Sequence, residues 1–301
     1  MSWYNIRLGW WNVALSPPSN QVASRGNVDN YKLVTDRLDH MLSIHKLHIV
    51  ALGEVNDADL VHLTNHYKGT QYKVRSLVKK VGRLIFNLGI VYNSKHLSVR
   101  KKSTLHTEKR GQKIRVSQPL ILKELRDGQE FEVHVCHWAS RTRESNAFRR
   151  VYAAEVLKQK TAKSRKKGSY TIIMGDLNDN PYDQSLFSLE ASRCLEVVKK
   201  NHTELFYNPF WKALSNSSSY NSNKTGDNFP VGTLYYQEPM TEHWHAYDQM
   251  LFSGNFIKNQ KWHLNESQSK VLNDDMFLSL IIDSSNKFDH LPIISEIYTE
   301  S

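Results

Sequence analysis

The sequence predicts a layered α/β architecture with a mixed sheet core. Short apolar runs recur through the whole length, and two longer segments between them carry apolar residues at helical spacing. Neither a repeat of fixed period nor a clear domain boundary interrupts them, so residues 1–301 are read as a single domain.

In chain order, residues 6–13, 48–52, 88–92, 119–125, 131–137 and 170–174 are apolar runs of strand length. Between the first two, residues 31–46 place Val34, Leu38, Met41 and Leu42 on one helical stripe, with Asp29 or Asn30 available as N-cap. A second helix is expected to begin after Ser145 and to run to about Lys160, with Ala147, Val151 and Ala154 on one face. The basic run 158–167 that follows suits a helix C-terminus electrostatically, but is read as a solvated loop. Residues 215–228, rich in Ser and Asn, are read as one long surface loop. Strand signals resume at 232–236, 247–252, 276–282 and 292–297.

Composition is that of an ordinary folded protein, with 40% hydrophobic, 11% aromatic and 23% charged residues in a chain of 301. An excess of 40 Lys+Arg over 30 Asp+Glu gives a net charge of +10, and a pI near 9.4 favours polyanionic partners such as nucleic acid. Cys136 and Cys194 lack Cys-x-x-Cys spacing, so neither a disulfide scaffold nor a zinc site is suggested, and both are assigned to packing. No signal-peptide pattern opens the chain and no stretch reaches ~18 apolar residues. The expectation is a cytoplasmic protein with no membrane span and with no protein partner inferable.

Three of the strand candidates stop at a polar ligand type: Asn12 after Trp10-Trp11, Glu54 after Leu52-Gly53, and Asp176 after Met174-Gly175, with Asn178 two residues on. A glycine before Glu54 and before Asp176 leaves room for a tight turn or a close approach. Carboxylates plus an amide, without clustered Cys or His, suit a hard cation such as Mg²⁺ or Mn²⁺, and the chemistry implied is phosphoryl transfer. Near the C-terminal end, Asp289-His290 stands just before an apolar strand, and Asp248 in Tyr247-Asp248-Gln249 is a candidate to orient the imidazole. An acid and an imidazole so paired form a minimal general-base unit.

Trp11-Asn12-Val13, Gly53-Glu54-Val55, Gly175-Asp176-Leu177-Asn178, Tyr247-Asp248-Gln249 and Asp289-His290-Leu291-Pro292 resemble, in order and spacing, the endonuclease/exonuclease/phosphatase superfamily. The segment His137-Trp138-Ala139-Ser140-Arg141 is similar to the Asn-His-Trp-x-Ser-Arg motif of a bacterial-type branch, with Cys136 in place of the Asn. The resemblance implies a four-layer sandwich, two packed mixed β-sheets flanked by helices. It implies Glu54, Asn12 and Asp289 around an Mg²⁺ or Mn²⁺ cofactor, and Asp176 and Asn178 on the nucleophile and a phosphate oxygen. It further implies His137 and Arg141 on the substrate phosphate, and Asp248 orienting His290, which serves as general base or as transition-state stabiliser. The expected reaction is in-line attack of water on phosphorus in a nucleic acid substrate.

Other candidates carry less. His62, His66, His106, His202, His243 and His245 have no ligand-like partner spacing, and Phe206, Tyr207, Phe210 and Trp211 are assigned to packing before base stacking. Two competing functions remain: a phosphatase or phosphodiesterase on inositol phosphates or lipid head groups, and a non-catalytic binding module. The second predicts loss of a ligand or of the imidazole, and all of these residues are intact.

Overall fold

The computed structural model describes residues 3–17, 24–143, 146–215, 232–239, 241–258, 261–282 and 288–300. The first half of the chain forms β1 (Trp3–Asn12), α1 (Val28–Ser43), β2 (Ile49–Gly53), α2 (Asp57–His66), β3 (Tyr72–Ser76), β4 (Lys79–Val81), β5 (Leu84–Phe86), β6 (Leu88–Asn93), β7 (Leu97–Lys101), β8 (Leu105–Lys109), β9 (Gln112–Glu124) and β10 (Glu130–His137). The second half forms α3 (Asn146–Lys166), β11 (Tyr170–Asp176), α4 (Gln184–Ser188), β12 (Ala191–Ser192), α5 (Leu195–Lys200), β13 (Phe206–Tyr207), β14 (Leu234–Tyr235), β15 (Trp244–His245), β16 (Asp248–Ser253), β17 (Trp262–Val271), α6 (Asp275–Ile282) and β18 (Ile293–Glu300).

Two mixed sheets dominate. One has six strands in the order β17-β18-β1-β2-β6-β3; the other has eight, with the path β12-β13-β16-β11-β10-β9-β7 and β8 paired to β9. Side-chain alternation along β1 sorts the layers, because successive residues point to opposite faces. Ile6, Leu8 and Trp10 enter the cluster between the sheets, where they meet Phe131, Val133, Ile172 and Met174 of the second sheet. Trp11 and Val13 point the other way and pack with Val34, Leu38 and Met41 of α1 and with Phe277 of α6. On the far side of the second sheet, Ala153, Ala154 and Leu157 of α3 cover Cys136 and Ile173. Helices therefore flank both outer faces, and the four-layer sandwich expected from the sequence is what the chain adopts.

Several local expectations are corrected. Residues 276–282, read as a strand, form α6; Phe277, Leu280 and Ile281 are buried at helical spacing, and a continuous apolar run does not by itself distinguish the two periods. Asp274 caps this helix, its Oδ1 accepting from the backbone N–H of Met276 at 3.1 Å. The basic run 158–167, read as a loop, continues α3 as far as Lys166, with Thr161 and Arg165 buried on its inner face. The cap of α1 is Asn27 and not Asp29 or Asn30, since its side chain accepts from the Asn30 N–H at 2.8 Å. Cys194 is exposed, so only Cys136 serves packing. Phe206, Tyr207 and Phe210 are buried as expected. Of the 215–228 segment, all beyond Ser215 lies outside the described residues. Among the described residues no helix is long and apolar enough to cross a membrane.

Candidate active site

Strand direction brings the polar strand ends to one rim. Because β1 and β2 are parallel and Asn12 pairs with Gly53, Asn12 and Glu54 leave the first sheet side by side. In the second sheet β10 and β11 are parallel, with His137 opposite Asp176. β16 runs antiparallel to β11, so its first residue, Asp248, is the partner of Asp176. β18 is antiparallel to β1, which brings the preceding Asp289-His290 to the same edge. The segment around Thr233 fixes that approach: Leu291 N donates to the Thr233 carbonyl at 2.7 Å and Tyr235 N to the Asp289 carbonyl at 2.9 Å.

Two backbone details explain the glycines. Gly175 has φ +149, and a Cβ there would lie 1.9 Å from the Cys136 carbonyl oxygen, so what needs the space is the neighbouring strand and not a ligand. At Gly53 a Cβ would meet the Trp10 ring at 2.8 Å. Glu54 and Asn178 themselves take left-handed φ values of 55° and 53°, a strain of about 1–3 kcal/mol that aims their side chains into the rim.

Asp248 is fully buried and both of its oxygens are engaged. Oδ2 lies 2.7 Å from Nδ1 of His290, and Oδ1 accepts from the Trp10 indole N–H at 2.6 Å. Trp11 donates its indole N–H to the His290 carbonyl at 3.0 Å, and the Asn12 amide nitrogen lies 3.4 Å from His290 Nε2. Three consecutive residues of β1 thus hold one acid–imidazole pair. Asp176 accepts the Asn178 N–H on Oδ1 at 2.9 Å. Its Oδ2 lies 3.7 Å from His137 Nε2 and 4.0 Å from His290 Nε2, and His137 Nε2 is 3.8 Å from Glu54 Oε1. The structure therefore brings Asn12, Glu54, His137, Asp176, Asn178, Asp248, Asp289 and His290 to one rim.

Electrostatics divide these groups. Burial lowers the His290 pKa, but the charges of Asp248 and Asp289, the hydrogen bond from Asp248 and the charge of Asp176 overcome it and hold His290 well above its usual range. His137 goes the other way, well below the usual range, through burial and the positive charges of Arg115 and His290. The two imidazoles are thus pushed in opposite directions, His290 towards its protonated form and His137 away from it. Burial and then the Asp248 charge push Asp176 up to about 8 against the pull of His290, and burial followed by Asp289 raises Glu54.

Carboxyls raised by burial and mutual repulsion form a site short of positive charge, which a divalent cation would supply. Asp176, Asp248 and His290 each place one ligand atom within 4.8 Å of the others, but the hydrogen bonds of Asp248 are already spent within the protein. The remaining carboxylate oxygens are those of Glu54, Asp289 and Asp176 Oδ2, with the Asn12 amide hydrogen-bonded to Glu54 and its Oδ1 accepting the Ala14 N–H at 3.2 Å. That donor set fits a hard cation.

Arg141 is placed differently from its expected role. Its NH1 is shared between Asp179 at 2.9 Å and Asp183 at 2.7 Å, so its charge is already answered. Sequence reasoning missed Arg115 on β9, whose guanidinium donates to the carbonyls of Ile85 and Trp138 at 3.0 and 3.4 Å. Burial draws its pKa down to about 10 against the opposing charges of Glu54 and Asp176. It is charged at neutral pH and faces the acid cluster. A lone arginine in a strand carries no pattern that would have marked it. Trp10 was missed because an indole N–H is silent in a hydrophobic run.

One stability prediction arises here. Asp176 is raised in the folded state, so the fold binds its proton more tightly than the unfolded chain does, and stability falls as pH rises from about 4 towards about 8. Asp176→Asn keeps the acceptor for Asn178 and removes the cost. In EDTA at pH 8 or above the variant is expected to melt higher than wild type, each kcal/mol being worth about 2–4 °C in a chain of this size. The gap should close towards pH 4. Equal melting temperatures at pH 8 would show that Asp176 is ionised without strain in the metal-free fold.

A sequence model of the Endonuclease/Exonuclease/phosphatase family matches residues 28–292. Comparison with curated proteins gives no match. Among solved structures the chain is similar to an endonuclease/exonuclease/phosphatase family protein from Bacteroides thetaiotaomicron, at 14% identity over 100% of both chains with a TM-score of 0.62. It is similar to the mannosyl-6-phosphatase of the same organism, at 15% identity over 97% of this chain and 99% of that one, TM-score 0.59. A third is D. rerio TDP2 complexed with single strand DNA product, at 14% identity over 97% and 98% of the two chains, TM-score 0.57. At such identities the likeness is one of fold.

Proposed function

The chain belongs to the endonuclease/exonuclease/phosphatase family, whose members hydrolyse phosphate esters, and from that premise we propose that it is a divalent-metal-dependent nuclease. The observation that carries the choice of substrate is a cationic and aromatic surface beside the rim. Phe148 is 39% exposed and stacks on Tyr152 at 6.0 Å with the rings 11° apart. Arg110 lies over the Phe148 ring at 5.3 Å and Lys109 over Tyr152 at 4.7 Å. Arg149 holds Gln112 at 2.8 Å, and Lys113 shares with Arg115 one face of β9, a strand whose alternate residues are about 7 Å apart. A group of cations set around partly exposed rings suits a nucleic acid strand, which offers phosphates and aromatic bases together. A small phosphomonoester uses neither.

Glu54, Asn12 and Asp289 would hold a divalent cation, Mg²⁺ or Mn²⁺, which would supply Lewis acidity and charge neutralisation to the reacting phosphate. Asp176, ionised once positive charge is nearby, accepts the proton of the attacking water, which Asn178 helps to position. Water oxygen bonds to phosphorus as the ester P–O bond opposite it breaks. His290, whose pKa is raised by Asp248, Asp289 and Asp176, would stabilise as a cation the charge that builds on the phosphate. His137 donates a hydrogen bond to a phosphate oxygen, and Arg115 takes the phosphate-facing part that Arg141, bound to Asp179 and Asp183, does not fill. We place the activity in the cytosol, with the whole chain acting as one unit.

The test is a panel of oligonucleotides, inositol phosphates and sugar phosphates with Mg²⁺ or EDTA, together with binding by His290→Ala, which leaves the proposed cation ligands in place. Oligonucleotide affinity should fall log-linearly with salt, by about 0.7 log unit per tenfold rise in salt for each phosphate neutralised on a single strand, and Arg110→Ala with Lys113→Ala should flatten that slope. Undetectable oligonucleotide binding at low salt, with hydrolysis of a phosphomonoester, would establish the phosphatase reading instead.

A further inference from the structure

A second group of metal-ligand side chains lies away from the catalytic rim, where the C-terminus of α1 meets the cap of α6. His40 Nε2 is 3.7 Å from Asp274 Oδ2, and His45 Nε2 is 4.0 Å from the same oxygen. One ligand atom from each of the three residues lies within 4.8 Å of the others. We propose that His40, His45 and Asp274 form a binding site for a transition-metal ion of the Zn²⁺ type, clamping α1 to α6.

Five features support it. The separations are too long for hydrogen bonds and slightly wider than the edge of a tetrahedron whose metal–nitrogen bonds are about 2.0–2.1 Å, roughly 3.3 Å. His45 Nε2 is a buried nitrogen without a hydrogen-bond partner, and a polar atom left so usually answers to a water or an ion. Asp274 divides its two oxygens between separate tasks: Oδ1 accepts from the N–H groups of Met276 and Phe277 at 3.1 and 3.3 Å, which leaves Oδ2 for the imidazoles. The backbone is also fixed in advance. The His40 carbonyl accepts from the Ile44 and His45 N–H groups at 2.9 and 3.4 Å, and Arg7 donates to the His45 carbonyl at 3.1 Å. The two rings meet nearly edge to face, 71° apart with centroids 5.2 Å apart, so they approach the shared space from different directions.

The same neighbourhood selects the kind of metal. His45 sits within the field of Lys270 and Arg7, which opposes a cation held by charge alone. Two imidazole nitrogens and one carboxylate favour an ion that gains its affinity from bonds to nitrogen, Zn²⁺ or Co²⁺ before Mg²⁺ or Ca²⁺. Solvent completes the coordination, since Asp274 is 43% exposed. The site does not depend on the nuclease reading, and its test is a count of ions and not an activity.

The full chain, stripped of metal and held in excess Mg²⁺ to occupy hard-cation positions, is titrated with Zn²⁺ against a chromogenic chelator and with Co²⁺ by visible absorption. His40→Gln and Asp274→Asn are compared with wild type; asparagine caps a helix as well as aspartate does, so the second variant decides the matter alone if the first does not fold. Wild type is expected to bind one equivalent more of Zn²⁺ than either variant, or to bind it at least tenfold more tightly. It should also gain a higher melting temperature with Zn²⁺ and a Co²⁺ absorption band that both variants lose. Equal stoichiometry, with affinities within twofold in wild type and Asp274→Asn, would overturn the site.

Discussion

Asp248→Asn is expected to lower turnover by about three to four orders of magnitude, the scale of loss when the acid of an acid–imidazole pair becomes an amide, while the fold stays in place. Asp248 is fully buried and accepts two hydrogen bonds, from Trp10 at 2.6 Å and with His290 at 2.7 Å. An amide offers one oxygen and one NH₂, so one of the two partners then faces a donor. If that partner is His290, Nδ1 must become the acceptor and the imidazolium is lost; if it is Trp10, an indole N–H is buried unpaired at about 1–3 kcal/mol. Neither outcome unfolds a chain of this size.

The pH profile distinguishes the roles of His290. Aspartate at 248 is the largest of the influences that raise its pKa, so the amide lowers it. If His290 acts as a cation, activity is lost as pH rises through its pKa, and Asp248→Asn moves that alkaline limb to lower pH. A general base would instead govern the acid limb. Stability carries the same sign: the ion pair's contribution is fully present below about pH 6.5, the unfolded value, and disappears as pH rises through the higher folded value. Near wild-type turnover in the variant would remove the pair from the mechanism.

Much of this rim was legible because its residues interrupt strands. Asn12, Glu54 and Asp176 end apolar runs, and a polar residue that stops a buried strand has few structural reasons to be there. The Asp289-His290 pair was legible for the same reason. What convergence required was strand direction: β16 starts where β11 ends because the two are antiparallel, and no local pattern states that. Side chains that act through a single buried atom were also hidden, as with the Trp10 indole N–H and the Arg115 guanidinium. Residues 276–282 were misread because an unbroken apolar run suits either period, and only the Asp274 cap and the burial of Phe277, Leu280 and Ile281 distinguish them. His40 and His45 carry no sequence signal of their own, since Asp274 joins them only after the helices pack.

Glu54→Gln is expected to weaken the Mg²⁺ or Mn²⁺ requirement-constant by at least about 100-fold, above the 10–100-fold typical of a residue that merely supports a ligand, and to lower turnover at saturating metal as well. The substitution keeps size and one oxygen donor, and glutamine meets the left-handed φ of 55° no worse than glutamate does. What it removes is a negative charge. In wild type that charge is raised in pKa by burial and by Asp289, so the metal-free fold holds it at a cost that a bound cation reverses. The variant should therefore be as stable as wild type in EDTA, or more so. Its melting temperature should scarcely respond to Mn²⁺, whereas that of wild type rises with metal concentration as binding to the folded state requires. The Zn²⁺ response assigned to His40, His45 and Asp274 should persist unchanged in this variant, which separates the two sites. Full wild-type activity in excess EDTA would remove the cation from the mechanism, and a Glu54→Gln protein with an unaltered metal dependence would show that the cation is held elsewhere than at Glu54.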